Sequence, residues 1–477
     1  MKEKQVSPPK FSDTILLTGS QLAKWLRLAF VLVAARVLGP VTFGVYALMF
    51  SLVEFMAVAS GSGYADYLSR ETAKDENFGW ELAMRLILLR TGIAVLVVTA
   101  AIGILSLLGY DRPTIVATAW MSLTLAPRSL SEAVQGVLRG MARYVEVLVI
   151  DLSLAMTLVV GAGYLLLHGG GLVAAVSSEL AAACAAGAAA LILGLWFWPR
   201  HRVPLETSSV LKKSAIFNAY GFLGNLYDRF DVVLLSKLAG NFATGIYSVA
   251  YRALGMTQIF GYGVLYALLP SLSRGSWEKS QQQQIERAMG LLISASFVII
   301  LATMVYAGPV VRLLLGPSYA ESAVAVKILI WAVSFRFLNY CFNIVLLATG
   351  QERVFVATAA VCLAVNLVGN LVFIPKYSWW AAAIITIITD LVSAVKNGWH
   401  IRISLGRIPW PYGLFRSLIA FVVLLSITIV GGKMFDPIVV GTICLLMFLA
   451  FLQLTGILSE FANIWHVQSV PVAKLSQ

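Results

Sequence analysis

Residues 36–46 read RVLGPVTFGVY and residues 237–247 read KLAGNFATGIY, so Gly39, Gly44 and Tyr46 recur as Gly240, Gly245 and Tyr247 at a constant offset of 201. Each copy sits between two apolar runs long enough to cross a hydrocarbon core of about 30 Å. A second match sets GMARY from Gly140 against GQERV from Gly350, both after an apolar run. Counting apolar runs along the chain, the first match joins spans one and two, then seven and eight. The second joins four and five, then ten and eleven. Each repeat therefore holds six spans, an even number, and both halves face the same way. That is a parallel repeat about an axis along the membrane normal, the arrangement of transporters with two lobes around a cleft.

Working outward, about fourteen spans are expected, and the last two fall outside the repeat. The fold class is all-α integral membrane, with residues 1–205 as a first lobe, 206–405 as a second, and 406–477 as two added spans and a tail. Composition agrees: 59% of the 477 residues are hydrophobic and only 12% charged, about half the share in an ordinary soluble domain. Mean hydropathy is +0.85. The longest polar stretches, 66–80, 199–212 and 271–285, are too short for an extramembrane domain. Cys184, Cys341, Cys362 and Cys444 lie inside apolar runs without a CxxC pair, which predicts buried packing and no metal site. The polar N-terminus lacks a signal-peptide core with a cleavage site, so the first span is expected to direct insertion.

The net charge is +12, yet no basic cluster with interleaved aromatics points to nucleic acid. Loop charge explains the balance better. With the N-terminus in the cytoplasm, alternation puts twenty Lys and Arg on the cytoplasmic side and six opposite, a strong positive-inside bias. Both termini are then cytoplasmic.

Polar residues within spans are the informative ones, because a charge at the bilayer centre is costly unless it faces protein or water. Span one carries Lys24 and Arg27, span two Glu54, and span four Arg128 and Glu132. Span seven carries Asn225, Asp228, Arg229 and Asp231, span eight Arg252, and span ten Arg336, Asn339 and Asn343 on one helical face. Basic residues outnumber acids six to four in this set. A shared cavity lined by them favours an anion, and arginine suits phosphate through its bidentate fork. Lys24, Arg27, Arg128, Asn225, Arg229, Arg252, Arg336, Asn339 and Asn343 are the candidate cavity residues, and Glu54, Asp228 and Asp231 the candidate ion-coupling acids. Each group also has a structural reading: Lys24 and Arg27 snorkelling, Arg128 pairing with Glu132 four residues on, Asn339 and Asn343 joining helices, and Asp228, Arg229 and Asp231 forming an ion-pair cluster.

No GxxxxGK[ST] loop houses ATP hydrolysis and no HExxH motif appears. A membrane glycan polymerase or ligase would need a large external loop with catalytic side chains, and none is expected. Transport without covalent chemistry, catalytic residues or cofactor is the reading that remains.

Several stretches resemble the polysaccharide-biosynthesis flippase family of the multidrug/oligosaccharidyl-lipid/polysaccharide exporter superfamily. They are RVLGPVTFGVYAL from Arg36, LPSLSR at Leu269–Arg274, LLGPSYAESAVAVKIL from Leu314, and GQERVFVATAAVCLAVNLVGNLVFIPKYSWWAAAIITIITDLV from Gly350. The last is the most specific, with its G-x-x-[KR], Asn-bearing helix and I-P-x-Y turn. The resemblance implies a flippase for undecaprenyl-pyrophosphate-linked oligosaccharides, such as O-antigen or exopolysaccharide repeat units, in a bacterial cytoplasmic membrane. It implies a monomer acting on a lipid-linked substrate beside membrane lipid and glycan polymerase or assembly proteins. Cations of spans one, two, seven and eight line the family's cavity, and Lys24, Arg27, Arg229 and Arg252 occupy matching spans. Span two departs, offering Glu54 and no central arginine, and KYSWW stands after Pro375 where the family often has a glycine turn. A cation-coupled multidrug antiporter of the same superfamily is the alternative, for which an acid-dominated cavity and twelve spans are expected.

Overall fold

The computed structural model describes residues 11–61, 64–198, 207–272 and 279–457. The order is α1 (Phe11–Ala59), α2 (Tyr64–Thr72), α3 (Glu76–Leu107), α4 (Arg112–Ser122), α5 (Leu125–Gly140), α6 (Tyr144–His168) and α7 (Gly171–Trp196). There follow α8 (Thr207–Leu272), α9 (Lys279–Leu315), α10 (Ala320–Leu329), α11 (Ala332–Ala348), α12 (Glu352–Leu405), α13 (Leu414–Gly431) and α14 (Pro437–Leu454). No strand occurs among the described residues.

Three of these helices are double. Helix α1 breaks at Gly39 (φ 69°), α8 at Gly240 (φ 85°) and α12 at Ser378 (φ 52°). A left-handed residue stops the helix, and in α1 Pro40 then starts the next one, where its missing N–H costs nothing. Nine described helices are long and apolar enough to cross a membrane, and α11 with the segment 317–329 makes a tenth pass bent by 45°. Counting the two halves of each double helix separately, and α4 with α5 as one pass, matches the expected fourteen. The expected count and repeat pattern therefore hold. Two details differ. The stretch expected as loop from residue 66 is partly the helix α2, and Cys184 is exposed while the other three cysteines are buried. Cys184 lies on the outer face of α7, one step away from the packed stripe of Ala182, Ala183, Ala186 and Ala190.

The chain forms two compact units, residues 1–245 and 246–477. In the first, α2 turns Tyr64, Tyr67 and Leu68 into a core shared with Trp80, Leu82 and Leu86 of α3, Val134, Val137 and Leu138 of α5, Ile150 of α6 and Ala190 of α7. Lipid gives helices no hydrophobic reason to associate, so close contact through small residues does this work. At Gly44 a Cβ would collide with the Asn241 carbonyl, and at Gly245 with the Pro40 carbonyl. Gly44 and Gly245 are repeat equivalents, as are Pro40 and Asn241, so the contact is reciprocal.

In the second unit α9 is central, packed by α10, α11, α13 and α14. Hydroxyl pairs join its helices: Ser294 with Ser417 at 3.0 Å, Ser296 with Ser334 at 2.8 Å and Tyr306 with Thr442 at 2.6 Å. Phe297 stacks on Phe421 with centroids 4.5 Å apart.

Candidate functional site

The polar side chains of the first unit converge on the second half of α1. Tyr46, Phe50 and Glu54 recur at four-residue spacing there and so share one helical face. The first half of the same helix supplies Arg27, whose guanidinium lies 3.1 Å from a carboxylate oxygen of Glu179 on α7. The Tyr46 hydroxyl donates to the other oxygen of Glu179 at 2.7 Å. Arg27 also approaches the Phe50 ring, 5.2 Å from its centroid, and Arg229 of α8 approaches the same ring at 5.1 Å. Two guanidiniums thus flank one aromatic ring, within cation–π range.

One turn along, Glu54 accepts two hydrogen bonds from Arg128 of α5, at 2.6 and 3.3 Å. Arg128 Nε donates to Glu132 at 2.7 Å, and Glu132 accepts from the buried Arg90 of α3 at 2.8 Å. Arg90, Glu132, Arg128 and Glu54 form a charge-alternating chain across three helices. The two groups communicate: Arg27 and Arg229 act electrostatically on Glu54, and Arg128 on Arg27. Four arginines, Arg27, Arg90, Arg128 and Arg229, thus meet three glutamates, Glu54, Glu132 and Glu179.

The second unit holds a separate network. Arg336 of α11 pairs with Asp390 of α12 at 2.8 Å and donates to the Tyr251 hydroxyl at 3.3 Å. Asn339 donates to the Asp390 backbone carbonyl at 3.0 Å. Asn397 donates to Asn343 at 3.2 Å and accepts from Thr358 at 2.9 Å. Arg252, next to Tyr251 on α8, is partly buried and within electrostatic reach of Tyr319.

The repeat carries into these contacts. Tyr46 and Tyr247 are equivalent, and the Tyr247 hydroxyl meets Thr386 of α12 at 2.9 Å where Tyr46 meets Glu179. Phe50 and Tyr251 share the same offset of 201, and each carries an arginine over its ring.

Of the residues singled out from sequence, Arg27, Arg229 and Glu54 come together with Arg128. Arg336, Asn339 and Asn343 join a second group. Asp231 is buried and accepts from the Val232 N–H at 2.8 Å. Lys24 lies on α1 and Asn225 and Asp228 on α8, with their side chains outside those described. Sequence reasoning missed Glu179, Asp390, Arg90 and Asn397. Glu179 stands alone among alanines in SSELAAACAAGAAA and Asp390 alone in IITIITDLVSAV, so the rule that found the others applies to both. With Arg90, Glu179 and Asp390 included, bases lead acids by seven to six. The local geometry at Phe50 now carries the anion argument, and the overall tally adds little.

The profile of a family described as "Polysaccharide biosynthesis protein" matches residues 11–276. The "Probable low-salt glycan biosynthesis flippase Agl15" of Haloferax volcanii is 22% identical over 378 residues, 77% of this chain and 78% of that one. Among solved structures, the lipid II flippase MurJ in an inward closed conformation superposes with a TM-score of 0.69 at 12% identity, covering 92% of this chain and 99% of its own. An inward-facing multidrug resistance MATE family transporter of the MOP superfamily gives 0.66 at 14% identity, covering 83% and 98%. These likenesses carry the fold, an all-α multi-pass membrane architecture common to flippases and exporters.

Proposed function

The chain belongs to the polysaccharide biosynthesis protein family, and from that premise we propose that it is a flippase for lipid-diphosphate-linked oligosaccharides. The substrate class we infer is the undecaprenyl-pyrophosphate-linked repeat unit of an O-antigen or exopolysaccharide. The observation that carries this reading is the convergence of Arg27 and Arg229 on Phe50, with Arg128 one turn away. The two flanking guanidiniums lie no more than about 10 Å apart, and a diphosphate held at each end by an arginine fork needs a spacing on the order of 10 Å. The head enters between two lobes that correspond to the sequence repeats, the polyprenyl tail stays in lipid, and alternation of the lobes exposes the head on the far side. Glu54 and Asp231 are candidates for coupling this cycle to an ion.

The membrane is the cytoplasmic one, with both termini inside on the strength of the positive-inside bias. The protein works as a monomer beside the glycan-assembly enzymes. The test is headgroup accessibility of lipid-linked oligosaccharide in reconstituted vesicles. Wild-type protein is expected to expose the head on both leaflets, and Arg27→Ala or Arg229→Ala to slow this by about tenfold or more, the worth of a charge-assisted contact. Wild-type rates in both variants, at normal expression, would remove the site assignment.

A multidrug antiporter is the second reading, favoured by the superposition on a MATE family transporter. Such a carrier takes cations, and the guanidiniums of Arg27 and Arg229 at Phe50 oppose one. Transport of a cationic dye in the same vesicles separates the two.

A further inference from the structure

We propose that Glu179 is the resident counter-ion of Arg27, a carboxylate that holds the arginine in the empty site and that the substrate's phosphate displaces on binding. The inference rests on the flippase reading and deepens it.

Helix α7 is a run of alanines, glycines and aliphatic residues across the membrane interior, and a lone glutamate there is costly unless its charge is met. Two groups meet it. Tyr46 donates to one carboxylate oxygen at 2.7 Å and Arg27 to the other at 3.1 Å. The carboxylate is 6% exposed while Arg27 keeps 34% of its side-chain surface open. The pair is therefore closed on the glutamate side and open on the arginine side. An anion arriving at the open side meets an arginine already oriented by a partner of like charge to itself. Binding becomes an exchange of carboxylate for phosphate, and release becomes the reverse. Without Glu179 the anion would leave behind a bare guanidinium in a low-dielectric setting, which would hold it tightly.

The second half of the repeat sharpens the case. The tyrosine equivalent to Tyr46 is Tyr247, and its partner on the last helix of the repeat is the neutral Thr386. There the tyrosine hydroxyl lies within hydrogen-bond distance of a neutral hydroxyl. The second half also sets a carboxylate of its last helix, Asp390, on the arginine over its ring, Arg336, but there both partners are 6% exposed, whereas Arg27 stays open.

Glu179→Gln keeps an acceptor for Tyr46 at the same reach and removes the charge, and Glu179→Thr removes the charge with a shorter hydroxyl side chain. In vesicles with a lipid-diphosphate oligosaccharide, both are expected to lower the KM and the maximal rate together, each by roughly tenfold, as expected for removing a charged competitor. Glu179→Asp is expected to restore most of the rate. Binding of farnesyl diphosphate to the purified full chain in detergent should tighten in the same two variants. A purely structural glutamate would instead give a lower rate at unchanged KM with no tighter farnesyl diphosphate binding, and that result overturns the proposal. The failure of the flippase reading looks different: wild-type vesicles show no glycan transport at all, while the detergent measurement still reports on the exchange.

Discussion

Arg128 is held by two carboxylates at once, and this sets it apart from Arg27. Glu54 takes its terminal nitrogens and Glu132 its Nε, so its charge is spent within the protein. Arg128→Ala would take from Glu54 the arginine that hydrogen-bonds it, while Glu132 would keep Arg90. About 3 kcal/mol of stability should be lost, in the range for breaking one side of a buried pair, and the double variant Arg128→Ala/Glu54→Gln should regain part of it. Thermal unfolding in detergent measures both. Arg27→Ala should cost transport heavily and stability as well, because Glu179 is then left buried with the neutral Tyr46 hydroxyl as its donor. The Arg128–Glu132 pair was legible in the sequence because its members are one helical turn apart. The partners Glu179 and Asp390 were not, since they approach Arg27 and Arg336 from helices 152 and 54 residues away. Hydropathy flags an in-span charge but does not say which helix answers it.

Helix breaks divide in the same way. Where glycine or proline interrupts the pattern, the sequence announces the break: Gly39–Pro40, Gly240 and the Pro375 turn all lie between expected spans. The breaks between α4 and α5 and between α10 and α11 fall at Leu123–Thr124 and Ile330–Trp331, each inside one expected span. Pro127, in the first turn of α5, is the sequence's mark of the first break, and no glycine or proline marks the second. Ser378 is the informative exception. It occupies φ 52°, ψ −137°, a region that favours glycine. Strain at such a residue costs about 1 kcal/mol or more. Ser378→Gly should therefore raise the unfolding temperature, and a fall would show that the Ser378 side chain contributes more than its backbone costs. Gly44 and Gly245 give the converse expectation. Their backbones touch the carbonyls of Asn241 and Pro40, so Gly44→Leu should force the two turns apart and abolish transport, whereas leucine at the open Gly103 should be tolerated.

On the scale of the whole molecule, orientation is the property that loop charge determines and that helix packing leaves open. Helix α12 allows a direct test because one pass carries a probe site at each end. Arg353 begins its first half and Lys376 ends it, and both are exposed. At 1.5 Å per residue they are separated by about 35 Å, more than the hydrocarbon thickness of about 30 Å. They must lie on opposite faces. The positive-inside rule assigns Arg353 to the cytoplasm and Lys376 to the outside, because only that choice also gathers the basic termini and the 199–212 and 271–285 stretches on one side. In a variant with the exposed Cys184 replaced by alanine, Lys376→Cys should react with an impermeant maleimide in intact cells and Arg353→Cys only after permeabilisation. The reverse pattern would invert every span, since fourteen passes joined by short loops leave no freedom to turn one alone. It would also turn the direction of the flippase cycle around, with the open side of Arg27 receiving its anion from the other leaflet.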